Sequence, residues 1–161
     1  MALSKITNAS IGEAISVSNM PTGSVIQTVS ASLGNDNVTT STSYVDTGLT
    51  ADITPIATSS KVLVTAYIPA HAVEEPGTDV QVYYQCLRAS TVLGIVTVGD
   101  HTGDGSRSDI WTPVHMTFVD SPSSTSALTY KVQHKSGSSG WTSTAMHANN
   151  VATIVLQEIA G

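Results

Sequence analysis

Cysteine is almost absent from this chain, with Cys86 alone among 161 residues. An internal disulfide framework is therefore excluded. Cys86 stands in an apolar run with no base or second thiol nearby in sequence, so it reads as a small buried hydrophobe rather than a reactive thiol. Charge is scarce too: charged residues make up 11% of the chain, against about 25% in an ordinary globular protein. The six basic residues (Lys5, Lys61, Arg88, Arg107, Lys131 and Lys135) are scattered, and the net charge is −6. A nucleic-acid partner needs clustered Lys and Arg and is not expected. No run of 18 apolar residues occurs, so no membrane-spanning helix is expected. The first residues, Met1 to Ile6, lack the continuous apolar core of a signal peptide, so the chain is expected to be made in the cytoplasm and not exported by a signal of its own.

The motifs of common chemistries are missing as well. There is no G-x-S-x-G nucleophile elbow, no H-E-x-x-H zinc motif, no P-loop and no G-x-G-x-x-G after a strand. The glutamates Glu13, Glu74, Glu75 and Glu158 are few, although paired acids for glycoside hydrolysis meet only in the fold. The segment Asp100 to Trp111 (DHTGDGSRSDIW) begins like a calcium loop, with Asp100, Thr102, Asp104 and Gly105. Its twelfth position is Trp111, where a bidentate Glu is required, and it reads as a polar turn. The histidines His71, His101, His115, His134 and His147 form no short ligand spacing. No enzyme activity, metal or cofactor is expected.

What the chain does contain is Ser and Thr, about a quarter of all residues, set among 40% hydrophobic residues. Thr, Val and Ile suit pleated, half-buried surfaces. From Ser24 onward short alternating runs are broken by Gly, Pro, Ser and Asn. The expected strands are Ser24 to Ser30, Thr42 to Thr47, Ala51 to Thr54 and Lys61 to Ile68 (closed by Pro69). They continue with Asp79 to Ala89, Leu93 to Val98, Thr112 to Val119, Ala127 to His134 and Val151 to Ile159. Pro113 demotes its strand to an edge. About nine strands at this spacing, with no helix of ten residues, predict an all-β antiparallel sandwich over residues 24–161.

Residues 1–23 differ. Leu3, Ile6, Ile11 and Ile15 are spaced apolar residues among small polar ones, and Met20-Pro21-Thr22-Gly23 punctuates like a turn. This reads as an N-terminal arm whose apolar residues are buried by a partner or by the chain's own domain. In the Ser/Gly-rich loop 135–150, Trp141 reads either as an exposed platform for a sugar or protein partner, joined by His147, or as a plug at the sandwich end. Tyr67, Tyr83 and Tyr84 read as interface or core residues.

Three stretches together resemble a module recurrent in tailed-bacteriophage virion proteins. They are TSTSYVDTGLTADITPIATSSKVLV from Thr40 to Val64, GDGSRSDIWTPVHMTFVDSPSSTSALTYKV from Gly103 to Val132, and ATIVLQEIAG from Ala152 to Gly161. The resemblance implies a jelly-roll-like homotrimer, similar in outline to tumour-necrosis-factor heads, in proteins that are often tail fibres. Only the short arm, rather than a long shaft, precedes the domain here. That combination favours a capsid decoration (cement) protein on the virion surface, whose arm binds the major capsid protein or other virion proteins. A tail-fibre head recognising host-surface glycan is the alternative.

Overall fold

The computed structural model describes residues 20–73, 80–100, 109–145 and 150–161. Ten strands form: β1 (Val25–Leu33), β2 (Asn37–Thr39), β3 (Val45–Ile53), β4 (Lys61–Val73), β5 (Val80–Arg88), β6 (Thr91–Asp100), β7 (Asp109–Asp120), β8 (Leu128–Ser136), β9 (Thr142–Ala145) and β10 (Ala152–Ile159). No helix occurs among the described residues.

The long strand β4 organises the first sheet. One of its edges pairs with β7 over its length. Its other edge pairs with β10 from Lys61 to Tyr67 and with β9 from Ala70 to Val73. Outside these, β1 pairs with β10 and β2 with β9. The sheet therefore has four lanes, in the order β1/β2, β10/β9, β4, β7. The second sheet runs β3-β8-β5-β6, and every pairing is antiparallel. The chain crosses between sheets at each step except β1 to β2, the β5–β6 hairpin and β9 to β10. Two four-lane sheets connected in this way make a jelly roll, so the all-β antiparallel sandwich read from the sequence is the architecture observed.

Period-2 alternation decides which side chains meet between the sheets. In β4 these are Val62, Val64, Ala66, Ile68, Ala70 and Ala72, and in β10 they are Ala152, Ile154 and Leu156, all buried. Facing them are Leu49, Ile53, Val82, Tyr84, Tyr130 and Val132 of the second sheet. Removing each large aliphatic side chain from water is worth about 1.5–3 kcal/mol before ordering costs. At the β6–β7 margin Gly94 lies under the Phe118 ring, and a Cβ there would collide with it. A side chain at position 94 would thus prise the two sheets apart at that margin.

Two punctuation marks in the sequence misled the strand boundaries. Gly48 (φ 89°) does not end a strand. Instead β3 runs through it, with the β3–β8 register slipping between Asp46 and Thr50, as a bulge absorbs two extra residues. Pro69 does not close β4, which continues to Val73. Proline's missing amide is tolerated there because the neighbouring lane is interrupted between Thr153, opposite Tyr67, and Ala145, opposite Ala70. Pro113 sits opposite Pro69 on β7, an edge strand as expected. The short strands β2 and β9 carried no readable alternation. At the start of the domain, Gly23 N–H donates to Ala160 C=O at 2.8 Å, and Ala160 N–H donates back to Ser24 C=O at 2.8 Å. The arm residues Leu3, Ile6, Ile11 and Ile15 lie outside the described residues.

Candidate functional site

The outward faces of the two sheets differ in kind. The second sheet presents a polar network. Lys131 Nζ lies 2.8 Å from Asp46 Oδ1, Gln133 donates to Asp46 at 2.7 Å and Gln85 donates to Gln133 at 2.7 Å. The hydrogen bond from Lys131, followed by that from Gln133, holds the Asp46 carboxyl below its ordinary pKa. Lys135 lies over the Tyr83 and Tyr44 rings, at 4.7 and 5.1 Å. Exposed pairs of this sort add little stability but mark a face turned to water.

The first sheet turns out aromatic, aliphatic and hydroxyl side chains. From Leu63 to Val73 of β4, from Ile110 to Val119 of β7 and from Thr153 to Gln157 of β10, no outward side chain carries a formal charge. Cross-strand register arranges them in rows. His71 stacks on Trp111 with ring centroids 4.2 Å apart, Pro69 faces Pro113, and Tyr67 packs on His115 at 4.9 Å. Trp111 is 55% exposed, Tyr67 37% and, further along β7, Val119 65%; Val38, in the Trp111 row, is 57% exposed. Between Trp111 and Tyr67 lies a trough of about 170 Å³ floored by the two prolines and flanked by Asn150.

Inside the sandwich a Ser–His–Asn constellation occurs. His134 of β8 reaches across to the first sheet, with Nδ1 3.0 Å from Ser143 Oγ and Nε2 2.8 Å from Asn37 Oδ1. With Nε2–H donating to Asn37, Nδ1 accepts from the Ser143 hydroxyl. Tyr84 O–H donates to the Thr144 carbonyl at 2.9 Å beside it. The roles resemble nucleophile, base and orienter, but His134 and Ser143 are both fully buried, so no substrate atom reaches the serine. Burial also pushes the His134 pKa down to about 4. The cluster is a neutral polar tie between the sheets, in which every buried group has a partner.

A second tie closes the opposite end. Asp120, at the end of β7, accepts from Arg88 and from the Tyr130 hydroxyl, each at 2.7 Å. Burial, reinforced by Asp120, pushes the Tyr130 pKa up. Burial and then Asp120 likewise push the Cys86 thiol up to about 12, so the lone cysteine is the inert core residue expected. Glu158 is also buried. It accepts from the Ile56 amide at 2.7 Å and from Gln27 at 2.6 Å, pinning the I-T-P segment to the last strand. Burial raises its pKa, and the donors around it, Ser60 first and then Gln27 and the Ile56 and Ala57 amides, outweigh that effect and leave the pKa below its ordinary value.

Trp141 is half-buried, its ring set against Gly137, where an added Cβ would lie 3.0 Å from it. The more open indole is Trp111, which the sequence placed only as the misfit of a calcium-like loop. His147, Glu74, Glu75, His101 and most of that loop (101–108) lie outside the described residues. Among the described residues no three His, Cys, Asp or Glu side chains cluster as a metal site, and no helix is long and apolar enough to cross a membrane.

No protein-family model matches the chain, and no curated protein matches it. Among solved structures, the VP2 subviral particle of infectious bursal disease virus is similar at a TM-score of 0.35 and 12% identity, over 86% of this chain and 38% of that one. The chain thus spans well under half the length of that neighbour.

Proposed function

We propose that this chain is a non-enzymatic structural protein of a bacteriophage virion, a homotrimeric decoration protein that bridges and stabilises capsid subunits. The observation that carries the reading is the contrast between the sheet faces. A sandwich that turns a charged, hydrogen-bonded face to water and an uncharged aromatic face the other way is built to be covered on one side. The sequence resemblance to virion modules points the same way. Among the described residues, the Ser143, His134 and Asn37 set, which has the residue types of a catalytic centre, is held in a buried tie. The arm residues Leu3, Ile6, Ile11 and Ile15 are the proposed contact with the major capsid protein, each large aliphatic residue contributing about 1.5–3 kcal/mol on burial before ordering costs.

One observation favours a second reading, a tail-fibre head binding neutral host glycan. The trough between Trp111 and Tyr67 has the aromatic walls on which sugar rings stack, with Trp141 and His147 as further candidate contacts.

Co-sedimentation with capsids lacking the protein tests the first reading. The full chain is expected to pellet with capsids, and a chain lacking residues 2–19 is expected to stay in the supernatant. Equal pelleting of both would remove the arm from the account. Failure of the full chain to pellet, together with saturable binding to host polysaccharide, would favour the second reading.

A further inference from the structure

We infer that the outward face of the first sheet, centred on Trp111, Tyr67 and Val119, is the surface on which a second copy of this chain packs. The inference rests on reading the chain as an assembling module and names the surface that does the assembling.

Size is the first argument. The β4–β7 ladder runs for twelve residue pairs, about 40 Å at 3.3 Å per residue, and four lanes 4.8 Å apart give a width of about 15 Å. The footprint is then about 600 Å², of the order of the 800 Å² per partner that a stable interface buries. Charge is the second. The chain as a whole carries a net −6, so like copies repel wherever acidic side chains meet. The outward residues of β4, β7 and β10 named above form a face free of formal charge, where two such molecules approach without that penalty. A basic or acidic partner would find no complement there, whereas an identical uncharged face is one.

Chemistry is the third argument. The face combines aromatic rings, prolines, threonines and aliphatic side chains, with aromatics at the centre as in protein interfaces. Its threonine hydroxyls can donate or accept across such a contact, which offsets the cost of taking them out of water. The trough beside Trp111 and the projecting Val119 stand at opposite ends of β7. Each copy therefore offers both a recess and a knob.

The test is the oligomeric state of the full chain, measured by analytical ultracentrifugation across the micromolar range, for wild type, Val119→Lys combined with Trp111→Lys, and Ile95→Lys. Ile95 is 53% exposed on the other sheet and serves as the control. Wild type and I95K are expected to be oligomeric. The double-lysine variant is expected to be a folded monomer, its self-association weakened on the order of a hundredfold or more, because unpaired ammonium groups would be buried. Circular dichroism checks that it is folded. In a Trp141→Phe background, Trp111 emission should shift to the red and become accessible to acrylamide as the protein is diluted. An oligomer that survives the double substitution overturns the inference and leaves the assembly reading standing. A wild-type chain that stays monomeric overturns it as well. Capsid co-sedimentation scores the virion reading separately, so the two failures do not look alike.

Discussion

Replacing Asp120 with alanine is expected to destabilise the fold by about 2–3 kcal/mol, since it removes the acceptor shared by a part-buried guanidinium and a buried phenol. The Asp120 side chain is 10% exposed and that of Arg88 21%, with 2.7 Å between the charged atoms. The same carboxylate also accepts from Tyr130 O–H at 2.7 Å. Removing it strands a guanidinium and a buried phenol at once, at the end where β7 of one sheet meets β5 and β8 of the other. Asp120→Asn keeps an acceptor and loses the charge, so it should lie between alanine and wild type. In a domain of this size each kcal/mol moves the midpoint by about 2–4 °C, so Asp120→Ala should lower Tm by on the order of 10 °C. Urea unfolding of Asp120→Ala, of Arg88→Ala and of the double variant gives the coupling. A loss below about 1 kcal/mol for Asp120→Ala would mean that the pair is solvated and the tie unimportant.

The second large effect is a loss of stability in mild acid. His134 has a folded pKa of about 4 because it is buried, whereas in the unfolded chain it titrates near 6.5. Between these values the unfolded state binds the extra proton, so stability is complete above pH 6.5 and falls as pH drops toward 4. The total is about 3 kcal/mol. Asp46 and Glu158 have folded pKa values lowered below their ordinary ones. Their contributions are therefore lost only at lower pH, as it falls through the carboxylate range. The His134 contribution is therefore read as the difference in slope between wild type and a His134 variant from pH 6.5 to about 4.5. His134→Gln should be less stable than wild type at pH 7, since Ser143 and Asn37 lose their partner, and its stability should fall less steeply than wild type's across that window. Equal slopes in wild type and variant would show that another group titrates.

Much of the strand pattern was legible because it is local. The alternation in Lys61–Val73 and Leu128–Ser136 follows directly from which side faces the core, and His134 is simply the next inward position after Leu128, Tyr130 and Val132. What that inward histidine touches was not legible, because Asn37 is 97 residues away from it in sequence. The same holds for the candidate surface. His71 and Trp111 become neighbours only through the β4–β7 register, so neither could be read as part of a patch, while Trp141, conspicuous in its Ser/Gly loop, is half-covered by its own turn. Gly48 and Pro69 misled for a related reason: a bulge and an interrupted neighbouring lane are properties of the paired sheet, not of the single strand. Around Glu158, Gln27 and the Ile56 amide fasten the 54–57 segment to β10, a role set by partners distant in sequence.

The most direct test of the central claim is immunogold labelling of intact virus particles with antibody raised against the folded chain. The account predicts dense label over the head, lost when the protein is stripped from the capsid. Label confined to the tail would transfer the chain to the fibre reading, and particles that carry no label at all would contradict a virion role altogether.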